Sequence, residues 1–282
     1  MKNLARLLAS LLVTLAIGIA GAAADTVRPV GKAVGRDALG HTIYRVKANG
    51  IDIGYRLAGA GTPLVMITGL GGTIERWPPQ LIAALAKKYR LIMFDNRGMG
   101  YSSANDTTFT YELFAADVVG LMDALGVKRA HVLGYSMGST ITQQLLLSYP
   151  QRFDKAIIHA TSTDGSNVAA VFKGMTIDNA TVRRQVEATT HWKTPLDRMA
   201  QVTIPVMFVV GTADPVVGID SSKTLAATVP GAWLVQFKGG THNLMHEAPV
   251  AFSRVALTFL ETDANVTAQA VAKAKAEAKP AK

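Results

Sequence analysis

The chain has 282 residues, 49% of them hydrophobic and 17% charged, a balance that supports one sizeable folded core and excludes a disordered or fibrous polymer. It contains no cysteine, which excludes disulfides, a thiol nucleophile and a thiolate metal site. Much of the formal net charge of +9 sits at the two ends, and the mildly basic remainder lacks the basic-aromatic pattern of a nucleic-acid binder.

Read from the start, Lys2 and Arg6 precede an uncharged apolar run over 7–21, and Ala22-Ala23-Ala24 follows. This is the pattern of a secretory signal peptide over 1–24, with Asp25 as the mature N-terminus. The run is short for a membrane span of about 20 residues. The expectation is therefore a bacterial periplasmic or extracellular protein with no stable membrane anchor after cleavage. Residues 25–36 carry no clear pattern. Strands are expected over 43–47 and 51–57, joined through Asn49-Gly50, a strong hairpin signal.

From there short apolar runs alternate with longer helical patterns. The runs are 64–68, 91–94, 131–133, 156–159, 206–210 and 234–237. Most lack polar alternation, as suits parallel strands covered on both faces. Helical spacing is carried by Leu81, Ile82 and Leu85, then by Phe114, Val118, Leu121, Met122 and Leu125, with Gly126 as C-cap. A further helix follows over 139–148, and Ala251, Val255 and Phe259 mark the last. Strand–helix alternation predicts an α/β doubly wound sheet. The interval 162–202 breaks the alternation and reads as a small inserted cap, with a weak helical pattern over 179–189. One domain is expected over 25–263, and 264–282 reads as an Ala/Lys-rich tail expected to be disordered or marginally helical.

The chemistry centres on Gly134-Tyr135-Ser136-Met137-Gly138, which follows the run 131–133 and opens a helix. A sharp strand-to-helix turn crowds its backbone, so glycines flank it, and it projects Ser136 at the C-terminal edge of the sheet. A serine hydroxyl needs a base. Among the six histidines, His242 lies just beyond the last expected strand, on a loop leaving the same edge. His246 is the nearest rival. His41 precedes the sheet, His131 and His159 lie in strands, and His191 lies in the cap. Asp214, after the run 206–210, is the carboxylate that orients the base; Asp164 competes but reads as a turn residue in Thr163-Asp164-Gly165. The order Ser136, Asp214, His242 follows the nucleophile-elbow plan. Backbone N–H groups of Met137 and, from the loop Thr68-Gly69-Leu70-Gly71-Gly72, of Leu70 are the expected oxyanion donors. That loop lacks a phosphate-loop lysine and serine, which argues against nucleotide binding.

These motifs, with Asp95-Asn96-Arg97-Gly98-Met99-Gly100-Tyr101-Ser102 and 211–215, give the stretch from Ile51 to Leu260 its resemblance. It is similar to the α/β-hydrolase superfamily, in its small esterase, lactonase and cofactor-free haloperoxidase-like branch. The resemblance implies an α/β-hydrolase fold: a mostly parallel eight-stranded sheet flanked by helices, a cap after the sixth strand, and the triad named above. It gives 95–102 a structural role. Relatives commonly carry histidine before the oxyanion glycine, where this chain has Thr68, so the amide donors can stay while the loop's anchoring bonds differ.

The expected function is hydrolysis of a small or medium carboxylic ester or lactone, with no metal or organic cofactor. Phe172 and Met175 of the cap, with Leu70 and Met137, are expected to line the pocket. Perhydrolase or carbon–carbon hydrolase chemistry on the same triad, and a non-enzymatic ligand-binding protein of this fold, are the alternatives. Nothing in the sequence bears on oligomeric state.

Overall fold

A computed structural model of the chain describes residues 27–263. The expected leader over 1–24 and tail over 264–282 lie outside the described residues. The strands are β1 (Lys32–Arg36), β2 (Thr42–Ala48), β3 (Ile51–Ala58), β4 (Thr62–Ile67), β5 (Tyr89–Phe94), β6 (Ala130–Tyr135), β7 (Phe153–His159), β8 (Val206–Gly211) and β9 (Trp233–Phe237). They form one sheet in the order β1-β2-β3-β5-β4-β6-β7-β8-β9. The first three are antiparallel, and β5 through β9 run parallel.

Among the described residues the sheet therefore has nine strands where eight were expected. The additional one is β1, which pairs Lys32 with Arg45 and Arg36 with Thr42 at the sheet's edge. It is largely exposed and buries no apolar row, so no alternation of hydrophobic residues announces it. The hairpin between β2 and β3 forms at Asn49-Gly50, both with positive φ (46° and 74°). That is the I′ geometry whose twist matches the strands it joins.

The helices are α1 (Pro79–Leu85), α2 (Tyr111–Ala124), α3 (Met137–Ser148), α4 (Gly165–Val171), α5 (Ala180–Thr190), α6 (Leu196–Met199), α7 (Asp220–Thr228), α8 (Leu244–Glu247) and α9 (Pro249–Glu261). They cover both faces of the sheet, because each central strand sends alternate side chains to opposite sides. Leu64 and Met66 of β4 pack with Leu81 and Leu85 of α1 and with Phe252 and Phe259 of α9. Val65 and Ile67 pack with Phe114 and Val118 of α2 and Ile141 and Leu145 of α3. At the end of α2, the Gly126 and Val127 amides donate to the Asp123 and Met122 carbonyls at 3.0 and 2.8 Å. Gly126 has φ +70°, and the two bonds make a Schellman cap.

Helices α4, α5 and α6 lie between β7 and β8, over the C-terminal edge of the sheet. Helix α5 buries only Gln185, Ala188 and Thr189, a narrow stripe that explains its weak hydrophobic pattern. No helix among the described residues is long and apolar enough to cross a membrane.

Candidate active site

Ser136 sits in the turn between β6 and α3 with φ 55° and ψ −121°. A non-glycine residue pays for such a backbone with strain, and strain of this kind gathers at functional sites. The flanking glycines are required by space. A Cβ on Gly134 would lie 2.2 Å from the Gly138 carbonyl oxygen, and one on Gly138 would lie 2.0 Å from that of Ile67. The turn is pinned from below, where the Ser136 amide donates to the His159 carbonyl at 3.0 Å.

Two loops from the same sheet edge meet the serine. Asp214 follows β8 and His242 follows β9. These loops are packed backbone to backbone: a Cβ on Gly211 would lie 2.1 Å from the Gly240 carbonyl oxygen, and the Ala213 amide donates to that oxygen at 2.9 Å. Glu247 of α8 holds the histidine loop, accepting from the Thr241 amide at 2.9 Å and from the Thr241 hydroxyl.

The three side chains are within hydrogen-bond distance in series. His242 Nε2 lies 2.9 Å from Ser136 Oγ, and His242 Nδ1 lies 2.8 Å from Asp214 Oδ2. Asp214 has no exposed side-chain surface and His242 has 14%. Burial works against the Asp214 carboxylate, but the bond and charge of His242 and the amides of Val217 and Val216 outweigh it and hold the carboxyl below its usual range. Those amides donate to Oδ1 at 3.1 and 2.8 Å. An ionised carboxylate only accepts, so Nδ1 carries the imidazole proton and Nε2 is free to accept from the Ser136 hydroxyl.

The rivals lie elsewhere. His246 is on α8 and makes no bond to Ser136 or Asp214. Asp164 caps α4, accepting from the Ser166 amide at 2.9 Å. His41 pairs with Asp37, and His131 lies 5.7 Å from the Tyr89 ring. His159 is fully buried, with its ring centre 5.3 Å from that of Tyr135 and 5.0 Å from that of Phe252. Burial pushes its pKa down to about 4.

The loop 68–72, expected to supply one oxyanion donor, follows β4. It presses on Ser136, since a Cβ on Gly69 would lie 3.4 Å from Ser136 Oγ. Among the described residues neither the Leu70 nor the Met137 N–H has an acceptor. Thr68 is fully buried, and its hydroxyl has no partner. The loop is anchored instead through the Thr68 carbonyl, which accepts from Asn96 Nδ2 at 3.2 Å, and through the Gly71 amide, which donates to Gln185 Oε1 at 2.8 Å. Just beyond, the Ile74 amide donates to Asp95 Oδ1 at 2.7 Å, while Asp95 Oδ2 accepts from the Tyr101 amide at 2.8 Å. Arg97 pairs with buried Asp117. Residues 95–102 thus brace the loop.

A cavity of about 220 Å³ opens above Ser136 between the sheet edge and α4–α5. Leu70, Met137 and Phe172 line it. Met175 does not, which corrects that expectation. The turn after α4 passes through Gly174 at φ +82° and leaves Met175 60% exposed, away from the cavity. The sequence reading missed Arg76, Tyr111, Thr140, Thr189, Trp192 and the pair Val216-Val217. Only the last pair had a local signal, directly after Asp214-Pro215. No three His, Asp or Glu side chains among the described residues gather into a group that could hold a metal.

Comparison with known proteins gives a consistent result. Residues 62–176 match the family model for the alpha/beta hydrolase fold, and 171–269 match that for TAP-like proteins. The chain is 26% identical over 246 residues to a Caulobacter protein carrying the name carbamate hydrolase RutD, covering 71% of this chain and 91% of that one. It is 40% identical over 112 residues to a Mycobacterium tuberculosis protein carrying the name non-heme bromoperoxidase BpoC. That match spans 39% of this chain and only 42% of the relative. The structure of an N-acyl homoserine lactone degrading enzyme superposes with a TM-score of 0.68 at 25% identity, covering 76% of this chain and 99% of that one.

Proposed function

Because the chain belongs to the α/β-hydrolase superfamily, we propose that it is a serine hydrolase of small or medium carboxylic esters or lactones, working through an acyl-enzyme on Ser136. The observation that carries this reading is the imidazole of His242, 2.9 Å from a serine oxygen on one side and 2.8 Å from a buried carboxylate on the other. Two amides without acceptors stand beside it.

In this mechanism Ser136 Oγ attacks the carbonyl carbon as His242 Nε2 takes its proton. Asp214 keeps the imidazole in the tautomer that accepts at Nε2 and stabilises the imidazolium that forms. The carbonyl oxygen becomes an oxyanion held by the Met137 and Leu70 amides; removing one donor of this kind typically costs about 10²–10³ in kcat. Helix α3 starts at the nucleophile and adds its positive end. His242 returns the proton to the leaving alkoxide. A water then repeats the sequence on the acyl-enzyme, releasing the acid and restoring the serine. A lactone releases a single hydroxy acid by the same steps.

The lactone-degrading name of a structure with the same fold supports the lactone half of this reading. The carbamate hydrolase name of a relative aligned over 91% of its length keeps a nitrogen-substituted carbonyl within the same chemistry. We further propose export through the leader over 1–24, tested by N-terminal sequencing of the protein from the cell envelope, where Asp25 should be first.

The test is turnover of 4-nitrophenyl esters of graded chain length, and of lactones, by wild type and by Ser136→Ala. Steady turnover by wild type alone is the expected result. Equal turnover by both proteins would remove Ser136 from the reaction.

A further inference from the structure

One cation lines the reaction cavity without an ion-pair partner among the described residues. Arg76 ends the short turn Ile74–Arg76 just past the oxyanion loop. It is the only Lys, Arg, Asp or Glu among the cavity-lining residues, and it forms no ion pair with any described residue. Its guanidinium is tethered. One terminal nitrogen donates to Asn243 Oδ1 at 2.7 Å, and that oxygen also accepts from the Tyr135 hydroxyl at 3.1 Å. The guanidinium carbon stands 5.9 Å from the centre of the Tyr135 ring.

The two tethers locate the charge. Tyr135 directly precedes Ser136, and Asn243 directly follows His242. A guanidinium fixed to both is fixed relative to the reacting atoms, and it loses less freedom on binding than a free surface arginine would. Arginine carries five N–H donors in a planar fork, and Asn243 and Tyr135 do not exhaust them. Much of the remaining wall is apolar, with Leu70, Val168, Val171, Phe172, Val216 and Val217. Arg76 is itself exposed where it meets the cavity, so it offers an anion the attraction of a solvated, tethered cation, one that salt screens.

We propose that the natural substrate carries a carboxylate, bound by Arg76 while the ester or lactone carbonyl meets Ser136. The substrate class is thus an acidic ester or lactone with an otherwise apolar body. This rests on the serine-hydrolase reading above, and it adds a recognition element that reading does not need. If Arg76 merely buttressed Asn243 and Tyr135, its loss would slow neutral and acidic substrates alike.

Two matched pairs of probes separate the possibilities and the side on which the carboxylate sits. 4-Nitrophenyl hydrogen adipate against 4-nitrophenyl hexanoate places it on the acyl side. 4-Acetoxybenzoate against its methyl ester places it on the leaving group. The readout is the ratio of kcat/KM within each pair, so that any general damage cancels. In Arg76→Gln the acid-to-neutral ratio should fall roughly ten- to hundredfold in one pair, the range of a charge-assisted bond. Arg76→Lys should restore part of it, and added salt should lower it in wild type. Binding to Ser136→Ala, measured by calorimetry, needs no turnover and therefore stands even if the hydrolase reading fails. There one acid should bind more tightly than its neutral partner, and Arg76→Gln should erase the difference. Ratios unmoved in both pairs, with acid and neutral probes binding Ser136→Ala alike, would overturn the proposal.

Discussion

The Gly71 amide donates to Gln185 Oε1 at 2.8 Å, across 114 positions of sequence. It ties the oxyanion loop to helix α5 of the inserted segment. Gln185 is fully buried and its Nε2 has no partner among the described residues, while the Gly71 amide is half-buried at the cavity wall. Gln185→Met keeps the bulk and removes the acceptor. Loss of the bond should cost about 1 kcal/mol of stability, read from urea unfolding. Because the loop carries the proposed Leu70 donor, kcat should fall by roughly an order of magnitude with KM little changed. A change in KM alone would mean the bond shapes the cavity and not the oxyanion site.

Asp214→Asn preserves shape and removes the charge that fixes the imidazole. A loss of about 10⁴ in kcat is expected with the fold intact, measured by steady-state kinetics alongside circular dichroism. Asp164, the rival carboxylate, caps α4 and pairs with Lys193 at 3.8 Å. Asp164→Ala should leave kcat where it was, and a comparable collapse there would reassign the acid.

Cavity length should be set by Phe172 and not by Met175. Phe172→Ala opens the wall at the end of α4, so the preferred acyl chain in a 4-nitrophenyl ester series should lengthen. Met175→Ala changes a solvent-facing side chain and should leave the series unaltered.

Acid stability follows from His159. Burial holds its folded pKa at about 4, against 6.5 for the free side chain. Between those values the unfolded chain takes up a proton that the folded one does not. Stability is therefore highest above pH 6.5 and declines as pH falls towards 4. Buried His131, also pushed down to about 4 by burial, adds to the slope. Urea midpoints at several pH values should fall through this window, and His159→Asn should flatten the fall. An unchanged slope in that variant would show that the ring takes up its proton in the folded state as readily as in the unfolded chain.

The parts of the site that could be read from sequence are those whose signals are local. Gly134 and Gly138 flank Ser136 because nothing larger fits beside the Gly138 and Ile67 carbonyls, so the motif states its own geometry. Asp214 follows the continuous apolar strand β8 and His242 the mostly apolar β9, and parallel strands deliver their loops to one edge. Strand β1 was illegible because an exposed edge strand has no apolar row to display. The Gly71–Gln185 bond and the Arg76 tether to Asn243 and Tyr135 join residues more than 50 positions apart. Such partners follow only from the packed fold. Met175 failed as a pocket residue because a glycine turn, not hydrophobicity, decides which way it faces.

The central claim is that Ser136 is a nucleophile activated through His242. It is tested most directly by intact-protein and peptide mass spectrometry after treatment with a fluorophosphonate. One adduct per chain is expected, on the peptide containing Ser136, with loss of ester turnover in proportion to labelling and much slower labelling in His242→Ala. An adduct on another residue, or full ester turnover in the Ser136-labelled protein, would contradict it.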